Sequence, residues 1–356
     1  MILHTDNPIG RIVHTELGAM RYFSGTSYLA LPSHEGFRQL LAAGMERHGN
    51  NFGGSRTANL RLSVYEEAEK FWQNYTGAEK ALLLSSGFMA GQLIAWWLRQ
   101  QVQKHPETIV SYAPHTHQAL WSGLETHEEG SFQNWLTHAV EMVKHQPWRP
   151  YLLVCNALDS VKAELFDFSL LAELPDKAQV TLIADDSHGI GITGKAGKGI
   201  FPTLQQFTKI QTIVVASLAK ACGLAAGLIL TNAHYGRLLS HNAFFAGASP
   251  CAPAYAYAMM HATNIWEQQR QQLAENVALA VQELSPFGLF QFAPGYPVFY
   301  TRATGLYKFL LKKGILISSF PYPKIDGPVA TRIVINAAHT KEDIAFLAAQ
   351  IASFQG

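Results

Sequence analysis

The sequence predicts an α/β fold, with a mostly parallel sheet sandwiched by helices and a smaller α+β C-terminal domain. Two observations carry this. The runs 81–86, 151–156, 180–186 and 212–217 are apolar throughout rather than alternating, which marks strands buried on both faces. Helix-like stretches stand between them, and strands joined by helices form a parallel sheet. After residue 232 the texture changes to long helical segments with isolated strands. We therefore expect residues 1–45 to pack on the small domain or on a partner subunit, 46–235 to form the large domain, and 236–356 the small one.

In chain order, Ala81–Ser86 reads as a strand, followed by Gly87 and a helix through Trp97. Residues 108–112 read as a strand and 117–127 as a helix. Further strands are expected at 151–156, 180–186, 212–217 and 227–231. Residues 254–284 read as one long helix. Then come a strand at 297–301, a helix near 306–314, a strand at 331–336 and a last helix at 341–354. The aromatics of Ala95-Trp96-Trp97 read as helix-packing core.

The chain is 356 residues long, 48% hydrophobic and 15% charged, which supports a substantial core and excludes a disordered protein. A net charge of +1 without a Lys/Arg run argues against nucleic acid or an anionic membrane surface as a partner. Cys155, Cys222 and Cys251 lie far apart in apolar surroundings, as expected of buried free thiols in a reducing, cytoplasmic setting. No secretory signal or membrane span is expected. No metal site is expected either, because no His/Cys spacing fits one; histidines other than His117 and His188 read as surface or helix-cap residues.

Two motifs mislead. Gly189-Ile190-Gly191-Ile192-Thr193-Gly194 matches G-x-G-x-x-G, and with Lys195 nearly a P-loop. Gly197, Gly199 and Pro202 oppose the helix that both nucleotide motifs need, and Ala196 stands where a P-loop has Ser/Thr. Ser217-Leu218-Ala219-Lys220 matches the S-x-x-K of β-lactamases, but their S-D-N and K-T-G partners do not occur.

Three strand ends carry chemistry. Ser86-Gly87-Phe88 opens a helix, whose first amides suit a phosphate. Asp185-Asp186-Ser187-His188 ends a buried strand, where an acid is a poor core residue and a good ligand. Lys220 follows another buried strand amid small apolar residues, where desolvation favours a neutral, nucleophilic amine. Together they fit a ligand with a phosphate, a protonated ring nitrogen and a carbonyl carbon, bound at the carboxyl ends of parallel strands.

These residues resemble the pyridoxal 5′-phosphate (PLP) enzymes of the aspartate-aminotransferase fold (fold type I). Within that fold the chain is most similar to the α-oxoamine synthases, such as 8-amino-7-oxononanoate synthase and 2-amino-3-ketobutyrate CoA ligase. The resemblance covers nearly the whole chain: Tyr28-Leu29-Ala30-Leu31, Phe52-Gly53-Gly54-Ser55-Arg56, Ser86-Gly87-Phe88-Met89-Ala90, Asp185-Asp186-Ser187-His188-Gly189, Gly194 to Gly199, and Arg332 ahead of Ala337-Ala338-His339. It implies a seven-stranded-type PLP domain. It also implies roles: Lys220 as Schiff-base lysine and α-proton base, Asp185 on the pyridine nitrogen, His188 on the ring hydroxyl oxygen and His117 stacked on the ring, with His115 as the alternative. The backbone of Gly87 and Phe88 with Ser217 would hold the phosphate, Ser249 would reach the phosphate of a neighbouring subunit, Ser160 would lie near the ring, and Arg332 would bind the substrate carboxylate.

The implied reaction is a decarboxylating condensation of an amino acid with an acyl-CoA, in a homodimer with shared sites. Departures from the family pattern are Asn156 for Glu, Ser27 for Asn, Leu60 and Tyr65 for Gly and His, and Ala248 for a hydroxyl residue. They keep two alternatives open: an aminotransferase or other PLP reaction without CoA, and a PLP-binding protein without turnover.

Overall fold

The computed structural model describes residues 2–125, 130–303, 305–322 and 326–354. The chain opens with a hairpin, β1 (Ile12–Thr15) and β2 (Gly18–Phe23), then α1 (Glu35–His48) and α2 (Ser63–Thr76). The α/β region follows: β3 (Lys80–Leu84), α3 (Gly87–Lys104), β4 (Ile109–Tyr112), α4 (Phe132–His145), β5 (Pro150–Asn156), a small hairpin of β6 (Leu158–Asp159) and β7 (Glu164–Leu165), β8 (Gln179–Asp185), α5 (Phe201–Leu204), β9 (Ile210–Ser217) and β10 (Gly227–Thr231). The rest comprises α6 (Ala233–Ser240), α7 (Ala243–Gly247), α8 (Pro253–His261), α9 (Thr263–Leu284), β11 (Val298–Thr301), α10 (Gly305–Leu311), β12 (Ile315–Pro321), β13 (Val329–Val334) and α11 (Lys341–Ala352).

The large sheet runs β3-β10-β9-β8-β5-β4. Strands β4, β5, β8 and β9 are mutually parallel, and β10 is antiparallel to both of its neighbours. The expectation of strands buried on both faces holds residue by residue. Leu82, Leu84, Val154, Ile183, Ile213 and Val215 pack with α3 in one apolar cluster. Their alternates Leu83, Leu153, Leu182, Val214 and Ala216 belong to the cluster on the other face. Each fully buried aliphatic side chain contributes about 1.5–3 kcal/mol, so the two-sided sheet is the main stabilising unit.

Several expectations need correction. Six strands are described in the large sheet, against the seven that the resemblance implies. The predicted helix at 117–127 is a single 3₁₀ turn, Gln118–Leu120; Trp121–Glu125 is not helical, and 126–127 lie outside the described residues. Residues 254–284 are two helices, which break at Ala262. Strand β12 was not foreseen, because ILISSFP mixes apolar and hydroxyl residues without a clean period.

The second sheet runs β1-β2-β12-β13-β11, so residues from both parts of the chain share it. Asp343, the N3 residue of the α11 capping box with Thr340, also receives Arg11 at 2.8 Å and Arg21 at 3.0 Å. His339 stacks on Phe23 with centroids 4.1 Å apart. Its Nδ1 accepts the Asn336 amide, so Nε2 donates to the Tyr22 carbonyl. His339 is 2% exposed and caps no helix, which corrects the expectation that the remaining histidines are surface or helix-cap residues. Ala337 N–H donates to the Tyr28 carbonyl and ties the same two regions a third time. All three cysteines are buried and free, as expected. Among the described residues no helix is long and apolar enough to cross a membrane.

Candidate active site

The site lies at the carboxyl ends of β8 and β9 and at the start of α3. Ser86 caps α3 by accepting the Met89 amide at 3.1 Å. The amides of Gly87 and Phe88 then have no acceptor among the described residues, as the first turn of a helix dictates. A Cβ on Gly87 would stand 2.4 Å from that of Ser217, so only glycine lets the helix start sit against the end of β9. Ser217 is held in turn, because its amide donates to Ser187 Oγ at 2.8 Å. This cradle of amides and a hydroxyl, closed to any added side-chain atom, has the form a phosphate group requires.

Asp185 ends β8, with its side chain 10% exposed, and accepts the Ser187 amide. His117 Nδ1 lies 3.7 Å from Asp185 Oδ2. Asn156, at the end of β5, fixes the His117 segment: its Oδ1 accepts the His117 amide and its Nδ2 donates to the His115 carbonyl. The structure thus brings His117 to the carboxylate, while His115 is exposed with φ 60°. Burial lowers the His117 pKa, against the pull of Asp185, and keeps the ring neutral.

Lys220 follows β9. Burial brings its pKa down to about 8, against Asp185, which pulls it up. His188 stays neutral, its pKa held well below normal by burial and by the charges of Lys220 and Arg332. Arg332, on β13, is 5% exposed; its Nη1 donates to the Ser160 carbonyl at 2.6 Å and its guanidinium lies 5.4 Å over the Phe320 ring. Its Nε is buried without a partner among the described residues. Ser160 is thus next to Arg332 through its backbone. Ser249 differs from the rest: it is exposed, and among the described residues no hydrogen bond or ion pair joins it to the other site residues. The segment before it is partly α7, with Phe245 buried.

The glycine-rich run after β8 is not a nucleotide loop. It wraps the buried Asp186, whose Oδ2 accepts the Ile200 amide. A Cβ on Gly189 or Gly199 would come within 2.0 Å of an Asp186 carboxylate oxygen. Burial pushes the Asp186 carboxyl up to about 7. The motif therefore encodes a loop closed around an acid. Sequence reasoning missed this, and it missed the site residues Tyr28, Tyr296 and Phe320; of these only Tyr28 carried a signal, in Tyr28-Leu29-Ala30-Leu31.

This fold and this site define a fold type I PLP-dependent enzyme. The chain belongs to the aminotransferase class I and II family, whose model matches residues 33–351. It is 25% identical over 347 residues to 8-amino-7-oxononanoate synthase of Nitrosomonas eutropha, covering 94% of this chain and 89% of the relative. The corresponding enzyme of Vibrio cholerae is 28% identical over 352 residues, covering 92% and 86%. Serine palmitoyltransferase of Sphingomonas wittichii shares the fold with a TM-score of 0.81 at 15% identity, over 99% of this chain and 91% of that one. An 8-amino-7-oxononanoate synthase structure from Francisella tularensis gives 0.70 at 18% identity, over 94% and 98%. These agree with the resemblance read from the sequence.

Proposed function

We propose that this protein condenses an amino acid with an acyl-CoA, with loss of carbon dioxide, using PLP held by Lys220. The carrying observation is the convergence of the α3 start, the Asp185 carboxylate and a lysine of lowered pKa at the ends of β8 and β9. When bound, PLP supplies an electron sink for the carbon beside the substrate carboxylate. The chain's own residues do the rest. The amides of Gly87 and Phe88 with Ser217 hold the phosphate. Asp185 keeps the ring nitrogen protonated, and neutral His117 offers its face to the ring. Arg332 binds the substrate carboxylate. Lys220, with a pKa near 8, is neutral often enough near neutral pH to act as nucleophile and then to take the α-proton.

The same reading includes a cytoplasmic homodimer. Ser55 Oγ donates to the Ala246 carbonyl, which joins the segment Asn51 to Arg56 with that around Ser249. Leu60, next to this region, is 77% exposed, an apolar side chain suited to a subunit boundary. Ser249 would complete the phosphate site of the neighbouring copy. Domain limits at 45 and 235 fit this reading, with β1 and β2 serving the small domain.

The test is release of free CoA thiol with glycine, alanine or serine and a series of acyl-CoAs. Release that depends on both substrates supports the reading. Transfer of the amino group to an oxo acid without CoA release would favour the aminotransferase alternative.

A further inference from the structure

A short chain of buried side chains ends on His188. The Tyr28 hydroxyl lies 2.9 Å from His188 Nδ1 and 3.4 Å from the Tyr296 hydroxyl. Tyr28 is 0% exposed and Tyr296 1%, so bulk water serves neither group. Two proton arrangements fit these distances. In the first, Tyr296 donates to Tyr28 and Tyr28 donates to Nδ1, and every hydroxyl proton has an acceptor. In the second, Nδ1–H donates to Tyr28 and Tyr28 donates to Tyr296. The Tyr296 proton then has no acceptor among the described residues. A buried donor without an acceptor is the costlier defect, so the first arrangement prevails. A doubly protonated ring is excluded as a third arrangement, since burial and the nearby charges of Lys220 and Arg332 keep His188 neutral.

We propose that Tyr28 and Tyr296 are positioning residues that fix His188 as its Nε2–H tautomer, so that a hydrogen-bond donor faces the ring oxygen of the bound cofactor. Only the last clause rests on the PLP reading; the tautomer follows from protein atoms alone. A donor at that oxygen stabilises its negative charge. It thereby weakens the hold of that charge on the proton of the neighbouring nitrogen, and the cofactor's visible band titrates at a lower pH.

The primary test is solid-state NMR on the holoenzyme with ¹⁵N-labelled histidine, the His188 signals being those lost in His188→Gln. The expected result is an unprotonated Nδ1 and a protonated Nε2; the reverse assignment overturns the proposal. In Tyr28→Phe the titration midpoint of the visible band should rise by about one pH unit, a tenfold change in proton affinity. In Tyr296→Phe it should rise by less. An unchanged midpoint in Tyr28→Phe, with PLP bound, overturns the link between the tyrosines and the cofactor. If no visible band forms with PLP, the cofactor reading fails, and the NMR measurement on the protein alone still decides the tautomer. If Tyr28→Phe does not fold, the wild-type spectrum decides it as well.

Discussion

Burial around Lys220 brings its amine down to about 8 although Asp185 pulls it upward. Covalent capture of PLP by the cofactor-free protein should therefore speed up as pH rises towards 8 and then level off. Stopped-flow absorbance measures this, and a rise continuing to pH 10 would contradict the lowered amine. Lys220→Ala should lose the adduct on borohydride reduction and peptide mapping. On the proposed function, Asp185→Asn removes the charge that would face the ring nitrogen. Exchange of the substrate α-proton for deuterium should fall on the order of a hundredfold or more, with PLP still bound. Asp186 is no innocuous control for Asp185, since it is 1% exposed and the glycine loop is moulded to it. Lys220 and Asp185 were legible in the sequence because an ionisable residue after a continuous apolar strand has few core explanations. Tyr296 was not legible, because its partner Tyr28 lies 268 residues away and nothing local marks a hydroxyl chain.

The elements were legible where burial is two-sided and the run is continuous, as in β5, β8, β9 and β10. They were illegible where tertiary packing overrides the local pattern. Trp121 follows a single turn rather than a helix, its ring nitrogen donating to the Thr116 carbonyl. The loop from Gly189 to Gly199 yields the sharpest test at this scale. Gly199 has φ +70°, and a Cβ there would meet Asp186 Oδ2 at 2.0 Å. Gly199→Ala should destabilise by about 2 kcal/mol or more, through overpacking and backbone strain together. Chemical denaturation measures it, with Gly53→Ala, which meets nothing within 4 Å, as the comparison. His339 joins β2 to the end of β13, with its pKa lowered to about 4 by burial. Its folded pKa lies below the unfolded one, so its contribution is complete above about pH 6.5 and is lost as pH falls towards 4. The slope is at most about 1.4 kcal/mol per pH unit. The stability gap between wild type and His339→Gln should narrow over that window.

At the scale of the whole molecule, the α/β plan of a sheet between helices was legible from the order of strands and helices. The shared second sheet was not, because its pairing of β2 with β12 connects residues some three hundred positions apart, such as Arg21 and Ile315. If the site is shared between copies, PLP should favour the dimer by binding the assembled state alone. Light scattering during PLP titration should show the mass doubling, and Ser249→Ala should weaken PLP binding. A monomer that holds PLP stoichiometrically would refute the shared site. The second sheet also bears on how the chain is made. β2 pairs in parallel with β12, at Arg21 against Ile315 and Phe23 against Ile317. During synthesis the hairpin β1–β2 leaves the ribosome first and waits for its partner, while the large sheet already has every described strand in hand once residue 231 has emerged. Long-range pairing of this kind is slow to form. From that point until β12 emerges, the nascent protein is a finished sheet trailing an unpaired ribbon. The last strands to emerge close that ribbon, and with it they bring Tyr28 to the back of His188.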